Sequence, residues 1–277
     1  MNFPKFWAKG THEGFSAWRW SDLNLAEAET LAKEAARRVA EHFARDDFRN
    51  QRYAYADRPL REPVLREFRD ASGQLAGAIT RNSYGCLVLN TARLMFVDID
   101  FPEPQVSVGS FFKRLFGKAE PPSANAETRA LAQTEKWAQG HPGWGWRAYR
   151  TRAGLRLMAT HALFEPEAPA THAVFEALGS DPLYRQLCKV QKCFRARLTP
   201  KPWRCAASQP PCRWPWANAQ EEASFQAWER EYLQACGDFA TCTLVASFGS
   251  NVIHPEVQEL LKVHDETTRA EAKLELA

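Results

Sequence analysis

The stretch of residues 64–100 constrains the fold most, because short apolar segments alternate there with turn residues. Two of these segments flank the sequence Asp-Ala-Ser-Gly, which is typical of a β-hairpin. The last segment, Leu94–Val97, runs directly into Asp98 and Asp100. The predicted strands cover residues 64–68, 75–80, 86–90 and 94–100. Their order predicts an antiparallel meander that ends at the two aspartates.

Helical periodicity appears before and after this meander. Between residues 24 and 45 apolar side chains recur at helical spacing, and Asn24 and Glu27 stand at the spacing of a capping box. Other helices are predicted at residues 126–139, 168–178, 182–191 and 220–236 and from residue 255 onward. Other strands are predicted at residues 16–20, on both sides of the turn at 153–154, and at 193–198 and 240–247. The mixture predicts an α/β fold of the α+β type with a mostly antiparallel sheet.

The organisation along the chain indicates three parts. We expect an N-terminal strand-helix region over residues 1–60, a core over residues 61–205 and a C-terminal cap over residues 206–277. Residues 104–125 are rich in Gly, Pro and Ser and are interpreted as an excursion or flexible loop. With 277 residues, of which 45% are hydrophobic, the chain is long enough to bury a substantial core.

Charge and hydropathy narrow the class of protein. The net charge of +3 is too small to indicate a nucleic-acid binder by itself, so a basic surface has to be found locally. No apolar stretch approaches the about 20 residues that a membrane-spanning helix requires, and the N-terminus lacks the apolar segment of a signal peptide. We therefore expect a soluble cytoplasmic protein without a membrane partner.

The seven cysteines have two interpretations. Cys188 and Cys193 are separated by four residues, and Cys205 and Cys212 by six, so neither pair forms the closely spaced knuckle of a structural zinc site. Reduced, buried cysteines that pack as small hydrophobic side chains are the favoured interpretation.

Asp98 and Asp100 are the sharpest chemical signal. Residues two apart on a strand project from the same face, so the two carboxylates converge and repel each other unless a cation compensates them. Mg²⁺ and Mn²⁺ prefer such oxygen ligands, which predicts a metal site. In the alternative, the strand simply ends before Pro102 and Pro104, and both aspartates are solvated.

A basic segment lies downstream. Residues 142–205 contain eleven Lys or Arg against four Asp or Glu. Arginine forks suit phosphate groups, so convergence of these cations would form a phosphate site; the alternative is a set of solvated strand edges. The candidate phosphate-binding residues are Arg152, Arg156, Arg195, Arg197 and Lys201.

The order of these motifs resembles the catalytic core of archaeo-eukaryotic primases and primase-polymerases. The resemblance covers residues 88–203: an apolar strand ends in Asp98 and Asp100, the turn Thr151–Arg156 follows, and a basic strand leads into Thr-Pro-Lys-Pro. It implies an RRM-like palm that performs metal-dependent nucleotidyl or phosphoryl transfer on a nucleotide or nucleic acid. In it Asp98 and Asp100 would be catalytic and hold Mg²⁺ or Mn²⁺, and the basic residues would bind phosphates.

The chain departs from the family pattern at two points. Arg156 or Leu157 stands where the family usually has histidine, with His161 farther along, and residues 193–198 supply no third carboxylate. These departures favour the alternative of a non-catalytic nucleic-acid or protein-binding module that keeps the palm fold.

The remaining histidines and tryptophans have simpler interpretations. His254 and the pair His264-Asp265 would suit a metallophosphohydrolase, but almost nothing after Asp265 provides a further ligand. We instead expect His264 near the C-terminal end of the last helix, where a cation is favourable, with Asp265 in solvent. Tryptophans such as Trp203 lie near arginines and would suit base stacking, but core or lid positions are the more common role.

Overall fold

The computed structural model describes residues 1–44, 59–101 and 122–277, so the excursion predicted at residues 104–125 lies mostly outside the described residues. The helices are α1 (Leu25–Ala44), α2 (Pro122–Gln139), α3 (Pro169–Ala177), α4 (Pro182–Gln191), α5 (Ala219–Ala235) and α6 (Pro255–Thr268). The strands are β1 (Phe6–His12), β2 (Phe15–Ser21), β3 (Val64–Arg69), β4 (Leu75–Arg81), β5 (Leu87–Thr91), β6 (Phe96–Asp100), β7 (Gly145–Thr151), β8 (Gly154–Ala159), β9 (Phe194–Arg197), β10 (Phe239–Ala240), β11 (Cys242–Gly249) and β12 (Glu275–Leu276).

Two four-stranded antiparallel sheets form the body of the molecule. The first has the strand order β3-β4-β5-β9, and the second has the order β11-β7-β8-β6. The predicted α/β class with antiparallel sheets is therefore confirmed. The meander predicted to reach Asp100 ends at β5 instead, because the chain turns after Thr91, whose hydroxyl donates to the Leu94 carbonyl at 2.6 Å, and β6 then pairs with β8.

The N-terminal region is a hairpin of β1 and β2 covered by α1. Asn24 caps the helix by accepting a hydrogen bond from the Glu27 backbone N–H at 2.9 Å, as the capping signal predicts. The helix approaches the hairpin so closely that a Cβ on Gly10 would lie 2.2 Å from the Ala32 carbonyl carbon. Small residues on both sides set this distance. Strand β1 itself was not predicted from the sequence.

The main core lies between the sheets and α6. Val257 and Leu260 of α6 are buried, and a Cβ on Gly77 of β4 would lie 2.9 Å from a Leu260 methyl group. Strand β11 adds to the second sheet by pairing with β7. The boundary predicted at residue 205 thus separates elements that share one sheet and one core.

Close backbone contact also holds the strand that bears the two aspartates. A Cβ on Gly154 of β8 would lie 2.0 Å from the Ile99 carbonyl oxygen, so only glycine permits this spacing beside β6. In the register of the two strands Asp98 stands opposite Arg156, and Asp100 opposite Gly154. Among the helices of the described ranges, none has the length and apolar character to cross a membrane.

Candidate nucleotide-phosphate site

A pocket of about 230 Å³ lies where the two sheets meet, between β5 and β9 on one side and β6 and β8 on the other, with α4 beside it. It is called the cation pocket below. Five of the seven site residues predicted from the sequence line it, namely Asp98, Arg156, Arg195, Arg197 and Lys201. Arg195 and Arg197 both face it because they are two apart on β9, while the alternating Phe194 and Ala196 are buried in the core.

The carboxylates lie at the end of β6. Asp98 is partly exposed, and its Oδ1 lies 3.8 Å from the Nε atom of Arg156. Partial burial raises the pKa of Asp100, the negative charges of Asp98 and Asp181 raise it further, and Lys201 and Arg197 oppose them. Asp100 therefore lies within the electrostatic range of both the acidic and the basic groups.

Asp181 is a third carboxylate that sequence reasoning missed. Its backbone N–H donates to the Asp98 carbonyl at 2.8 Å, and the Ser180 hydroxyl donates to the same oxygen at 3.1 Å. The Asp181 side chain caps α4 by accepting from the Tyr184 backbone N–H at 2.8 Å. Its position before Pro182 is a recognisable N-cap signal, but nothing in the sequence places it beside β6.

Carboxylate oxygens from β6 and Asp181 are the donors that Mg²⁺ or Mn²⁺ prefers, and Mg²⁺ usually completes its shell with water and phosphate oxygens. Within the described ranges no group of three or more His, Cys, Asp or Glu side chains has the arrangement of a preformed metal site. Asp98, Asp100 and Asp181 lie in electrostatic range of one another and are donors of the right type for such a metal, but the described residues do not hold them in a preformed site.

The opposite wall carries crowded positive charge. Burial lowers the pKa of Arg197, and neighbouring Arg156 lowers it further; burial and the charges of Arg197 and Arg204 lower the pKa of Lys201. Within the described residues, the buried Nε atoms of Arg156 and Arg197 have no hydrogen-bond partner. A bound anion would supply both the missing charge and the missing acceptors.

The other two predicted arginines are paired elsewhere. Arg195 donates from Nη2 to both oxygens of Glu62, at 2.8 and 2.9 Å, so its charge is largely neutralised although it lines the cation pocket. Arg152 lies outside the pocket at the turn between β7 and β8, where its Nη1 donates to the Leu276 carbonyl at 3.0 Å. Tertiary structure therefore separates Arg152 from the other candidates.

A network of buried or partly buried polar side chains, formed by His264, Asp265 and Arg147, contacts Arg156. The Nη1 atom of Arg156 lies 3.4 Å from Nε2 of His264, and Nδ1 of His264 lies 2.9 Å from Asp265. Arg147 donates to the other oxygen of Asp265 at 2.7 Å. Burial lowers the pKa of His264 to about 4, so the neutral ring donates to Asp265 and accepts from Arg156 at neutral pH.

This arrangement corrects two expectations. His264 is fully buried and neutral and does not act as a helix-terminal cation, and Asp265 is an ion-pair partner with a side chain only 13% exposed, not a solvated residue. His161 lies apart from the cation pocket, where it accepts from the Gly145 N–H and packs on Trp144. Six of the seven free cysteines are buried, as the packing interpretation predicts.

No family model matches this chain, and comparison with curated proteins and with solved structures found no match to either.

Proposed function

We propose that this protein binds the phosphates of a nucleotide or nucleic acid in the cation pocket and performs metal-dependent nucleotidyl or phosphoryl transfer there. One observation carries the proposal: Asp98 lines the same pocket as Arg156, Arg197 and Lys201. Asp100 does not line the pocket, but the charges of Lys201 and Arg197 lower its pKa against the effect of burial, and its own charge raises the pKa of Lys201. A phosphate group bound to a divalent metal would complement this site, because the metal is attracted to the carboxylates and the phosphate oxygens to the basic residues.

The element order supports a divergent primase-like, RRM-like palm as part of the proposal. From β6 through α2, β7, β8 and the helices α3 and α4 to β9, the elements follow a β-α-β-β-α-β order. In such a palm the last strand lies beside the first. Strand β9 lies against β6 although the two belong to different sheets. The side chain of Arg156, on β8 next to β6, donates to the Arg197 carbonyl of β9 at 3.0 Å.

The roles follow from position and charge. Asp98 and Asp100, with Asp181 nearby, would hold Mg²⁺ or Mn²⁺, which would neutralise phosphate charge and polarise the reacting phosphorus centre. Arg197 and Lys201 would bind phosphate oxygens directly. Arg156, which contacts both His264 and Asp98, would fix the position of the basic residues relative to the carboxylates.

The double variant Asp98→Asn with Asp100→Asn tests the metal. We expect loss of Mn²⁺ binding, measured by the paramagnetic relaxation of water protons, with an unchanged circular dichroism spectrum. The matched control is Glu165→Gln with Glu167→Gln, which removes two acidic groups from a loop outside the cation pocket. Unchanged Mn²⁺ binding by the folded double variant would refute the metal assignment. Incubating wild type with labelled nucleoside triphosphates, a primed template and Mn²⁺ then tests transfer itself.

A non-catalytic binding module is the second candidate. It is favoured by the lack of histidine at the position where the primase family usually has it, since Arg156 or Leu157 stands there and Arg156 forms an ion pair with Asp98. It is also favoured by β9, which supplies no third carboxylate. Nucleotide binding without product in the transfer assay, with and without Mn²⁺, would select this candidate.

A further inference from the structure

Two exposed aromatic rings stand at the rim of the cation pocket. Tyr84 lines the pocket and is 43% exposed, and Trp203 beside it is 49% exposed. The ring centroids are 5.4 Å apart with an interplanar angle of 82°. The Nζ atom of Lys201 lies 5.4 Å from the centre of the Trp203 ring, so the aromatic pair is continuous with the cations of the pocket.

Rigid turns present both rings. Asn82 accepts from the backbone N–H groups of Tyr84 and Cys86 at 3.0 and 3.1 Å, which fixes the turn that carries Tyr84. Trp203 is the centre of a 3-10 turn, Pro202–Arg204, whose neighbours Pro202 and Cys205 are buried. Exposed aromatic surface held on a fixed backbone has little entropy to lose when a planar ligand binds.

The pocket is large enough for phosphate groups but too small to enclose an attached planar group as well. A volume of about 230 Å³ is smaller than the about 300–1,000 Å³ of pockets that enclose small organic molecules. Phosphate groups fit inside among Arg197 and Lys201, but an attached planar group has to remain at the rim. The corner between the perpendicular rings of Tyr84 and Trp203 is the apolar surface available to it there.

We propose that Tyr84 and Trp203 form a base-stacking subsite, which holds a nucleobase whose linked phosphates lie in the cation pocket. This inference rests on the proposed function and adds the substrate class, since a phosphate compound without a base leaves the subsite empty. Base–aromatic stacking has no hydrogen-bond code, so the subsite accepts different bases, whether in a free nucleotide or at a position in a single strand.

Calorimetric titration of the full chain in Mg²⁺ buffer, with ATP and with inorganic triphosphate, tests the subsite. We expect wild type to bind ATP at least about tenfold more tightly than triphosphate, from the usual strength of base stacking. Trp203→Leu should weaken ATP binding about tenfold and leave triphosphate binding within twofold, while Trp203→Phe retains most of the affinity. Phe43→Leu is the matched control, because it removes a similarly exposed ring that pairs with Phe15 on the N-terminal region.

Each other outcome has a defined meaning. Equal affinity of wild type for ATP and triphosphate would overturn the base subsite and leave the proposed phosphate site intact. Equal loss of both ligands in Trp203→Leu would also overturn it, because the ring would then support the cations alone. If wild type binds neither ATP nor triphosphate, an eight-nucleotide single strand is titrated as well. Binding of the strand that weakens in Trp203→Leu would assign the subsite to single strands. Binding of none of the three ligands would overturn the proposed function as well.

Discussion

Arg81 and Arg156 are equally buried, 6% and 4% exposed, but their surroundings differ. Arg81 forms an ion pair with Glu229, donates to the Gly85 carbonyl at 2.8 Å and lies over the Phe225 ring. Arg156 also donates to a carbonyl, that of Arg197 at 3.0 Å, but its carboxylate partner Asp98 lies 3.8 Å away, and its Nε atom has no hydrogen-bond partner among the described residues. The charge of Arg156 also lowers the pKa of neighbouring Arg197.

We propose that this difference separates structural cations from binding cations. An arginine that is matched by a carboxylate and carbonyl groups holds two elements together, and it has little capacity left for a ligand. A cation whose pKa is lowered by neighbouring cations, as the pKa of Arg197 is by Arg156 and the pKa of Lys201 is by Arg197, keeps unused attraction for anions. Arg195, paired with Glu62, belongs with Arg81, whereas Arg197 and Lys201 are the proposed binding cations.

The largest loss of stability is expected when the ion pair between Arg81 and Glu229 is broken. Glu229→Gln leaves Arg81 buried without its counter-charge and should lower the free energy of unfolding by about 3 kcal/mol, measured by urea denaturation. Triphosphate binding by the folded fraction should not change. Glu231→Gln, at an exposed position of the same helix, is the control and should change stability by less than about 0.5 kcal/mol. Equal effects of the two variants would remove the basis of the comparison.

Removing a proposed binding cation should weaken ligand binding and leave the free energy of unfolding unchanged or higher. Arg197→Gln should weaken triphosphate binding about tenfold, the usual order for loss of a hydrogen bond to a charged group, while unfolding stability stays equal or rises because repulsion of Arg156 is relieved. Arg152→Gln, which lies outside the cation pocket, should change binding less than twofold. A destabilised Arg197→Gln protein with normal binding would show that Arg197 is structural.

The two aspartates of β6 should respond with opposite signs, and with the smallest changes. Asp98→Asn weakens the ion pair of buried Arg156 and should cost about 1 kcal/mol of stability. Asp100→Asn removes repulsion and should stabilise the metal-free protein at pH 7 by a few tenths of a kcal/mol. Chemical denaturation of each single variant measures both changes.

The pH dependence of unfolding tests whether the charge of Asp100 destabilises the folded protein. Its pKa is raised in the folded state above the ordinary 3.8, so the folded state binds the proton more tightly than the unfolded chain does. The destabilisation is therefore present at high pH and fades as the pH falls through the raised pKa toward 3.8. The stability gain of Asp100→Asn over wild type should shrink in the same window. A gain that grows on acidification would contradict the assignment.

The sequence by itself determined most local structure and the chemistry of the candidate residues. Helices begin at Pro182 and Pro255, as predicted, because proline at the first turn combines with a preceding capping side chain. Alternation placed Arg195 and Arg197 on one face of β9, since that period is a property of every strand.

Only the tertiary structure decided which charges meet. Glu62 neutralises Arg195 across 133 residues, Asp181 reaches β6 from a helix cap, and Arg152 is directed toward the C-terminal strand instead of the cation pocket. Local patterns carry no information on such pairs, because they depend on how the two sheets and α4 pack. Which cations are paired with carboxylates and which remain in the cation pocket is therefore a property of the packed fold.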